Sequence, residues 1–426
     1  MRSPHKVSIP ELRFPGFYES WKEKSLSDYE VEYCGGASLT PADFVEFSDF
    51  RVVPKKSIVK GGRLRLSETN PTYCSKEFFE NNRNSVVGRK HLITVLRDLV
   101  PSAPSIGLIV VNEQNDELLL AQGVYGFVTN KGLEPYFITS LSNKESYRRL
   151  MFKLAVGSTQ VHLRSSEFFK IRFHFPEIEE QQKIATFLNS IYDKLKKLRR
   201  KRELLETYKR GLMQKLFSQE IRFKQDGSDF PDWEETAIGK LGDTFSGLTG
   251  KSAQDFGFGK RYVTYKQVFG QSDINLSDCG LVNISDKETQ NTLQRGDIVF
   301  TTSSEVPHEV GFSSVVVNEV RESVYLNSFC FGLRPYSKEK LVPEFSSYLF
   351  RSHEYRKSIF PLAQGSTRYN LSKSSFVKIR LEIPLEKEQK KIAKFLMSMD
   401  RKIEAVAKQI TQLETFQKGL LQKMFV

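Results

Sequence analysis

The sequence predicts a mixed α/β fold of the α+β type, in which two related globular domains are each followed by a long helix. Three observations lead to this prediction: a long internal repeat, enough apolar residues for two cores, and an apolar heptad pattern at the end of each repeat. The chain has 426 residues, of which 39% are hydrophobic and 12% aromatic. It is therefore too long for one small core and too apolar for global disorder.

The internal repeat is the strongest of these observations. Residues 157–217 and 365–425 align without a gap at an offset of 208, and 27 of the 61 aligned positions are identical. A match of this length indicates an internal duplication. Weaker matches extend it upstream, since Trp21 pairs with Trp233 and the dipeptide Tyr147-Arg148 pairs with Tyr355-Arg356.

Between these matching positions the two halves diverge. One interpretation is that two copies of one architecture contact different targets. The other is that surface loops simply drifted after the duplication.

The repeat divides the chain into four predicted segments, a first globular domain at 1–175, a central helix at 176–217, a second globular domain at 218–383 and a distal helix at 384–426. Pro176 and Pro384 stand just before the two helices. A proline there removes an N–H that has no intrahelical partner, and the acidic residues that follow favour a helix N-terminus.

Apolar residues in each helical segment alternate in steps of four and three, which is coiled-coil periodicity. In the first helix they are Ile184, Leu188, Ile191, Leu195, Leu198 and Leu205. In the second helix they are Ile392, Leu396, Met399, Ile403, Val406, Ile410 and Leu413. A pseudo-two-fold relation between the repeats requires the two helices to pair as an antiparallel coiled coil. The alternative is that each helix pairs with a separate subunit.

The charge of the chain favours a polyanionic partner. The net charge is +13 and the pI is about 9.3, a balance that is common among nucleic-acid-binding proteins. A dense basic run lies at 194–202 within the first helix. This run is either a solvated coiled-coil face or a contact for phosphate or an acidic partner subunit.

Signatures of catalysis and of metal binding are missing from the sequence. Cys34, Cys74, Cys279 and Cys330 form no CxxC pair, and the six His residues show no metal-ligand spacing, so we expect reduced thiols and no metal. The stretch SGLTGKS at 246–252 departs from a phosphate-binding loop because position 245 is Phe245. There is no GxGxxG, HExxH, GxSxG or Asn-Pro-Pro-aromatic motif. With no apolar leader and no membrane-length apolar run, we expect a cytoplasmic protein that does not contact membranes.

The helical motifs resemble a known family. The pattern IPxxxEQxxIAxFL at 383–396, followed by a heptad helix that ends LETxxxGLxQKxF at 413–425, is similar to the repeated helical regions of type I restriction-modification specificity subunits, and 175–188 with 205–217 form the second copy. The segments FPGFYESW and FPDWEETAIGKLGD resemble those that open each target recognition domain of that family. The resemblance covers essentially the whole chain. It departs in the first domain, where residues 89–94 replace the Arg-Gly-Asp-Ile-Val-Phe found at 295–300.

The resemblance implies a sequence-specific DNA-binding subunit without catalysis. Each target recognition domain would read one half of a bipartite site in double-stranded DNA, and the helices would act as a spacer and dock two methyltransferase subunits. Restriction-translocase subunits would join for cleavage, and S-adenosylmethionine, ATP and Mg²⁺ would belong to the partners, with no cofactor in this chain. Two rival classes remain open: an autonomous nuclease or methyltransferase, and a coiled-coil assembly scaffold without DNA specificity of its own.

Base readout needs paired donors or acceptors, and backbone contacts come from Lys, Arg, Ser and Thr. Candidates in the second domain are Lys251, Lys260, Arg261, Tyr262, Thr264, Tyr265, Lys266, Thr301, Thr302, Ser303, Ser304, Thr367, Arg368 and Asn370. Candidates in the first domain are Thr159, Gln160, Lys60, Arg63, Arg65, Arg89 and Lys90. Plain turns would explain the loops at 157–160 and 365–370 equally well.

Overall fold

A computed structural model describes residues 9–89, 91–130 and 132–426. The described residues form two compact units: unit 1 is drawn from Met1–Arg200 and Ala407–Val426, and unit 2 is Lys201–Val406. Within the described part of the chain, no helix is both long enough and apolar enough to cross a lipid bilayer.

Unit 1 is built mainly from short strands. Its strands are β1 (Lys22–Ser25), β2 (Glu32–Gly35), β3 (Phe44–Val45), β4 (Val52–Val53), β5 (Tyr73–Cys74), β6 (Val86–Val87), β7 (Leu92–Val95), β8 (Arg97–Asp98), β9 (Ile109–Val111), β10 (Leu118–Leu120), β11 (Val124–Val128), β12 (Val161–His162) and β13 (Arg172–Phe175). Its short helices are α1 (Lys76–Asn81), α2 (Pro135–Ser142), α3 (Glu145–Leu154) and α4 (Ser165–Phe168).

The central sheet of unit 1 is antiparallel with the order β2-β11-β7-β9. Its register pairs Tyr125 with Gly35 on one side and with Thr94 on the other. A second sheet has the order β4-β10-β6, and apolar residues such as Val53, Ile93 and Leu118 from both sheets bury one core. Strand β1 pairs with β13, so the start of the domain lies beside the strand that leads into the long helix.

Unit 2 repeats this arrangement. Its strands are β14 (Lys224–Gln225), β15 (Ser228–Asp229), β16 (Glu234–Ala237), β17 (Gly242–Ser246), β18 (Phe256–Val263), β19 (Gly280–Val282), β20 (Ile298–Thr301), β21 (Ser303–Ser304), β22 (Ser313–Val315), β23 (Val324–Leu326), β24 (Cys330–Pro335), β25 (Ala363–Gln364), β26 (Tyr369–Leu371) and β27 (Arg380–Ile383). Its short helices are α6 (Tyr265–Gly270), α7 (Pro343–Leu349), α8 (His353–Ile359) and α9 (Lys373–Phe376).

The sheets of unit 2 match those of unit 1 strand for strand at the core. The central order is β17-β24-β20-β22, and β16 pairs with β27 as β1 pairs with β13. The predicted mixed α/β fold with an internal repeat is therefore confirmed. Unit 2 also has a sheet with the order β19-β18-β23, in which the long strand β18 carries an irregularity between Phe256 and Lys260.

Two long helices, the central α5 (Ile178–Phe217) and the distal α10 (Glu386–Lys423), each contribute to both units. In unit 2, Lys209 on α5 pairs with Asp400 on α10, and Arg222, just beyond the end of α5, pairs with Glu388 at the start of α10. In unit 1, Phe425, just beyond α10, packs on Phe137, which also contacts Phe175 just before α5. The helix segments are therefore antiparallel in each unit.

The apolar heptad residues differ in how deeply they are buried. Those that are buried are Ile184, Leu188, Ile191, Leu195, Ile392, Leu396, Met399, Val406 and Ile410. Those that are only half-buried are Leu198, Leu205, Ile403 and Leu413.

The Glu-Gln dipeptide near the start of each long helix ties the helix to its domain. The Glu180 carboxylate accepts hydrogen bonds from Nε and a terminal nitrogen of Arg13, both at 2.7 Å, and its side chain is only 2% exposed. Glu388 is held in the same way by Arg222, and its side chain is 1% exposed. A buried carboxylate needs such a bidentate partner. Each pair therefore fixes the segment that enters the domain against the helix N-terminus.

The neighbouring glutamines complete the join. The Gln181 amide donates to the carbonyls of Pro176 and Gly132, and its oxygen accepts the Glu134 N–H. In unit 2, Gln389 makes the equivalent contacts with the Pro384 carbonyl and the Val342 N–H. The motif that carried the family resemblance thus satisfies buried backbone groups on both sides of the helix start.

Candidate nucleic-acid interface

Three segments of unit 2 meet where strands of its central sheet end, a region called an edge below: the end of β17, the stretch after β20 and the loop at 365–370. The Leu371 N–H donates to the Thr302 carbonyl at 2.9 Å, and the Thr302 N–H donates to the Phe329 carbonyl at 2.9 Å. Strand β21 pairs with β26, with Ser303 opposite Asn370. Two of the segments chosen on sequence, TTSS at 301–304 and GSTRYN at 365–370, are therefore neighbours.

Basic and aromatic side chains line this edge. The Arg368 guanidinium lies over the ring of Phe329 at 5.0 Å, and that ring is 49% exposed. Lys373 donates from Nζ to the Ser246 hydroxyl at 2.7 Å and lies 6.0 Å from the Phe331 ring. Burial lowers the pKa of the Lys373 ammonium from its usual range. We call this set, Ser246, Phe329, Thr367, Arg368, Asn370 and Lys373, the unit 2 edge.

A glycine shapes the loop before β26 in the unit 2 edge. Gly365 has φ +142°, and a Cβ there would lie 2.0 Å from the Arg368 carbonyl oxygen. Gly157 in unit 1 has φ +119° and would place a Cβ 2.0 Å from the Gln160 carbonyl oxygen. Only glycine fits this close approach, so the two loops place residues 368 and 160 equivalently.

The corresponding edge of unit 1 has the same backbone and different side chains. The Leu163 N–H donates to the Leu96 carbonyl at 2.8 Å, and the Leu96 N–H donates to the Gly123 carbonyl at 3.0 Å. Gly123 thus stands where unit 2 has Phe329. Arg97 donates to the Gln160 side-chain oxygen at 2.7 Å. We call the exposed residues Arg97, Thr159 and Gln160 the unit 1 edge.

Several candidates chosen on sequence belong to the interior. Thr301 is fully buried, and its hydroxyl donates to the Glu309 carbonyl. Ser303 and Ser304 are buried as well, and Ser304 donates to the Glu309 carboxylate at 2.6 Å. Thr301 lies in the central strand β20, and Ser303 and Ser304 lie in β21, which pairs with β26, so all three side chains are inside the protein.

The glycine-rich stretch of unit 2, residues 250–266, holds some candidates that are engaged within the protein and others that are exposed. The Lys251 side chain is only 5% exposed because its ammonium is paired with Glu288 at 2.6 Å, so it is not offered to DNA. Thr264 caps helix α6, and the Tyr265 hydroxyl donates to the Ser303 carbonyl. Tyr262 packs on Phe256. Lys260, Arg261 and Lys266 are exposed, with Arg261 paired to Glu322.

The first-domain candidates are scattered. Arg63 is paired with Asp193 and Glu113 and lies over the rings of Tyr136 and Tyr192, which places it against helix α5. Arg65 donates to the Tyr192 hydroxyl, and Lys60 lines the same groove along α5. Arg89 contacts Asn115 elsewhere on the surface. Lys90 lies outside the described residues. Of the first-domain candidates that the structure describes, only Thr159 and Gln160 lie at the unit 1 edge.

Sequence reasoning missed Arg97, Phe329 and Lys373. A usable signal for Arg97 existed in the offset of 206, which places it opposite Ser303. The Phe329 side chain carried no signal, because an exposed aromatic residue looks like a core residue in sequence.

No group of three or more His, Cys, Asp or Glu residues within the described ranges has the arrangement of a metal site. Burial raises the pKa of the Cys34, Cys74, Cys279 and Cys330 thiols. These thiols are therefore protonated at neutral pH and are weak nucleophiles.

Comparisons of sequence and of structure all match this chain to type I restriction-modification specificity proteins. The family model described as "Type I restriction modification DNA specificity domain" matches residues 11–206 and 231–415. The type I restriction enzyme MjaVIII specificity subunit of Methanocaldococcus jannaschii is 25% identical over 353 residues, covering 74% of this chain and 78% of that protein. The putative type I restriction enzyme MjaX specificity subunit of the same organism is 23% identical over 369 residues, covering 84% and 83%.

Two solved structures share the fold. The S subunit of a type I restriction-modification system from M. genitalium superposes with a TM-score of 0.57 at 15% identity, over 98% of this chain and 99% of that one. A chain solved in work on complex assembly and conformational transition of the type I R-M system gives a TM-score of 0.54 at 17% identity, with coverage of 98% and 99%.

Proposed function

This chain belongs to the type I restriction-modification DNA specificity family, and on this premise we propose that it gives such a complex its DNA sequence specificity. Unit 1 reads one half of a bipartite site in double-stranded DNA, and unit 2 reads the other half. The chain itself performs no catalysis.

The observation that carries this proposal is the contrast between the two edges. The loops before β12 and β26 have the same backbone geometry, yet unit 1 presents Arg97 and Gln160, whereas unit 2 presents Arg368 over Phe329. Arg and Gln are side chains that read base edges, and the Lys373 ammonium suits a phosphate. One scaffold with two different sets of reading groups is what two unlike half-sites require.

The helices supply the docking surface for two methyltransferase subunits. Their buried sides are used within each unit, while the basic residues Lys194, Lys196, Lys197 and Lys201 of α5 are exposed. These ammonium groups suit an acidic partner surface. S-adenosylmethionine, ATP and Mg²⁺ are then bound by the methyltransferase and restriction-translocase subunits, and this chain binds none of them.

A domain exchange tests the proposal. Residues 1–175 would be replaced by the equivalent domain of a relative, and the methylated motif would be determined by sequencing host DNA modified by each complex. We expect one half of the motif to change and the other half to persist. A motif that stays whole, or loses both halves, would contradict reading by separate units.

The same experiment decides against the scaffold alternative. A scaffold without DNA specificity would leave the motif unchanged after the exchange, provided that the complex still assembles. Co-purification of the methyltransferase subunits with the exchanged chain is therefore the necessary control.

A further inference from the structure

We propose that Arg368 reads a guanine in the half-site bound by unit 2 and that Phe329 is the positioning residue that holds it for this contact. This inference rests on the proposed function and deepens it, because it assigns one base to one side chain. Arg368 lies on the exposed loop at 365–370, and its guanidinium is 5.0 Å from the centre of the Phe329 ring.

The chemistry of the guanidinium limits what it can recognise. Arginine carries only donors, arranged as a rigid planar fork. In the major groove, guanine presents two adjacent acceptors, O6 and N7, which match that fork, whereas adenine and cytosine present a donor. Among the four bases, guanine is therefore the best match for an exposed arginine that reads base edges in the major groove.

The surroundings of Arg368 leave its donors available. Among the described residues, no carboxylate is paired with it, and the ring of Phe329 is its principal side-chain contact. Stacking on an aromatic face fixes the plane of the guanidinium without using its N–H groups. The loop itself is fixed by Gly365 and by the Asn370 amide, which donates to the Arg368 carbonyl at 3.3 Å.

Lys373 supplies a separate function at the same edge. It uses one N–H to contact Ser246 and keeps two donors for a phosphate. A phosphate contact orients the duplex without selecting a base. Removal of Lys373 is therefore expected to weaken binding to all DNA sequences, whereas removal of Arg368 is expected to relax the choice of base at one position.

Unit 1 lacks this arrangement. Gly123 occupies the position of Phe329, and a Cβ there would lie 2.9 Å from the Arg97 Cβ. Arg97 fills the space and is held by the Gln160 oxygen instead. Arg97 thus provides a matched control, since its removal must affect only the half-site of unit 1.

The test begins with the methylated motif of the complete wild-type complex with its methyltransferase subunits. If that complex has no defined motif, the proposed function fails, and this inference fails with it. Given a motif, 7-deazaguanine would replace each guanine of the second half-site in turn, which removes N7 without any change to the protein. We expect one position to lose about 10- to 100-fold in methylation efficiency. If no position responds, or if that half-site contains no guanine, the inference is overturned while the function stands.

Protein variants complete the test. Arg368→Ala and Arg368→Lys should both accept other bases at the sensitive position and become indifferent to 7-deazaguanine there, because lysine lacks the planar fork. Phe329→Leu should show a smaller loss at the same position. Arg97→Ala should leave that position unchanged. If Arg368→Ala weakens binding to all sequences equally and lowers its salt dependence, Arg368 contacts phosphate and the inference is wrong.

Discussion

The two units are alike where they join the long helices and unlike where we propose that they meet DNA. Arg13–Glu180 and Arg222–Glu388 are the same bidentate pair at the same place in each repeat. At the sheet edge, by contrast, Gly123 corresponds to Phe329 and Gln160 to Arg368. The duplication has kept the groups that hold a domain to its helix and has exchanged those that face outward. The residues that hold each domain to its helix are therefore separate from those that we propose read DNA.

The likeness at the join is not complete. The Trp233 indole N–H donates to Glu388 at 3.1 Å, whereas the indole nitrogen of Trp21 is buried without a hydrogen-bond partner. The units also differ along the helices, since Leu195 is buried while its counterpart Ile403 is half-buried. These differences in equivalent residues allow the comparison to be tested by measurement.

The largest effect is expected for Leu396→Asp. Leu396 has no exposed surface and belongs to the core of unit 2, so the change removes an apolar side chain and buries an unpaired charge. We expect a loss of about 5 kcal/mol or more in the free energy of unfolding, with a similar loss for Leu188→Asp. The measurement is urea denaturation followed by circular dichroism.

The next pair of equivalent positions, 195 and 403, should differ in the stability lost on substitution by aspartate. Leu195→Asp is expected to cost more than Ile403→Asp, because the half-buried Ile403 position lets an aspartate keep part of its hydration. Equal losses at 195 and 403 would mean that the two helix segments are packed alike, against the structure.

A second, smaller effect concerns the Arg–Glu pairs. Glu180→Ala removes the carboxylate partner of the nearly buried Arg13 and leaves it only the Glu19 carbonyl, and we expect a loss of about 3 kcal/mol in unfolding free energy. Glu388→Ala should cost about 1 kcal/mol more, because it also leaves the Trp233 N–H unsatisfied. In a Trp233→Phe background the extra cost should disappear. If it persists, the hydrogen bond to Trp233 is not the source of the difference.

The smallest effect is an additional pH dependence in unit 2. Thr40 with Asp43 and Ser252 with Asp255 form the same turn in the two units, but unit 2 adds the Lys251–Glu288 pair beside it. The hydrogen bond from Lys251, with further bonds from Ser285 and Gln290, lowers the pKa of Glu288 to about 2 from an ordinary 4.5. Since this carboxyl pKa is depressed on folding, its stabilising contribution is present above pH 4.5 and is lost as the pH falls through about 2.

Amide hydrogen exchange can detect this loss. The Thr249 N–H donates to the Gln290 side chain, which in turn contacts Glu288. After correction for intrinsic rates, exchange at Thr249 should accelerate between pH 4.5 and 2, and Glu288→Gln should abolish that pH dependence. The turn at 40–43 is the internal control. If exchange in that turn accelerates as strongly as exchange at Thr249, Glu288 is not responsible.

Much of the fold could be predicted because helix periodicity and duplication are both visible in sequence. The heptad residues, the prolines before α5 and α10 and the pairing of Tyr147-Arg148 with Tyr355-Arg356 needed no coordinates. The structure shows what these Tyr-Arg dipeptides do. Each tyrosine hydroxyl donates to a glycine carbonyl, that of Gly107 or Gly311, and each arginine donates to backbone carbonyls of the preceding loop.

The candidate site was less predictable. Ser303 and Ser304 look like surface residues because of their type, but they are buried by strand pairing with β26, which joins segments about 65 residues apart. Lys251 looks like a phosphate ligand until Glu288, far away in sequence, is seen beside it. Acidic residues at a helix N-terminus have a sufficient local explanation, and this concealed the role of Glu180 and Glu388 as partners of distant arginines.

The composition of unit 1 also affects how the protein is made. Phe425 packs against Trp21 and Phe137, and the Leu12 N–H donates to the Lys423 carbonyl. Unit 1 is thus the first to leave the ribosome and yet is completed only by residues 407–426, after all of unit 2 has been synthesised. Domains usually fold in the order of their synthesis. Here Phe425 is not available to cover Trp21 until residues 407–426 have been made, so we expect unit 1 to complete its folding only after unit 2 has been synthesised.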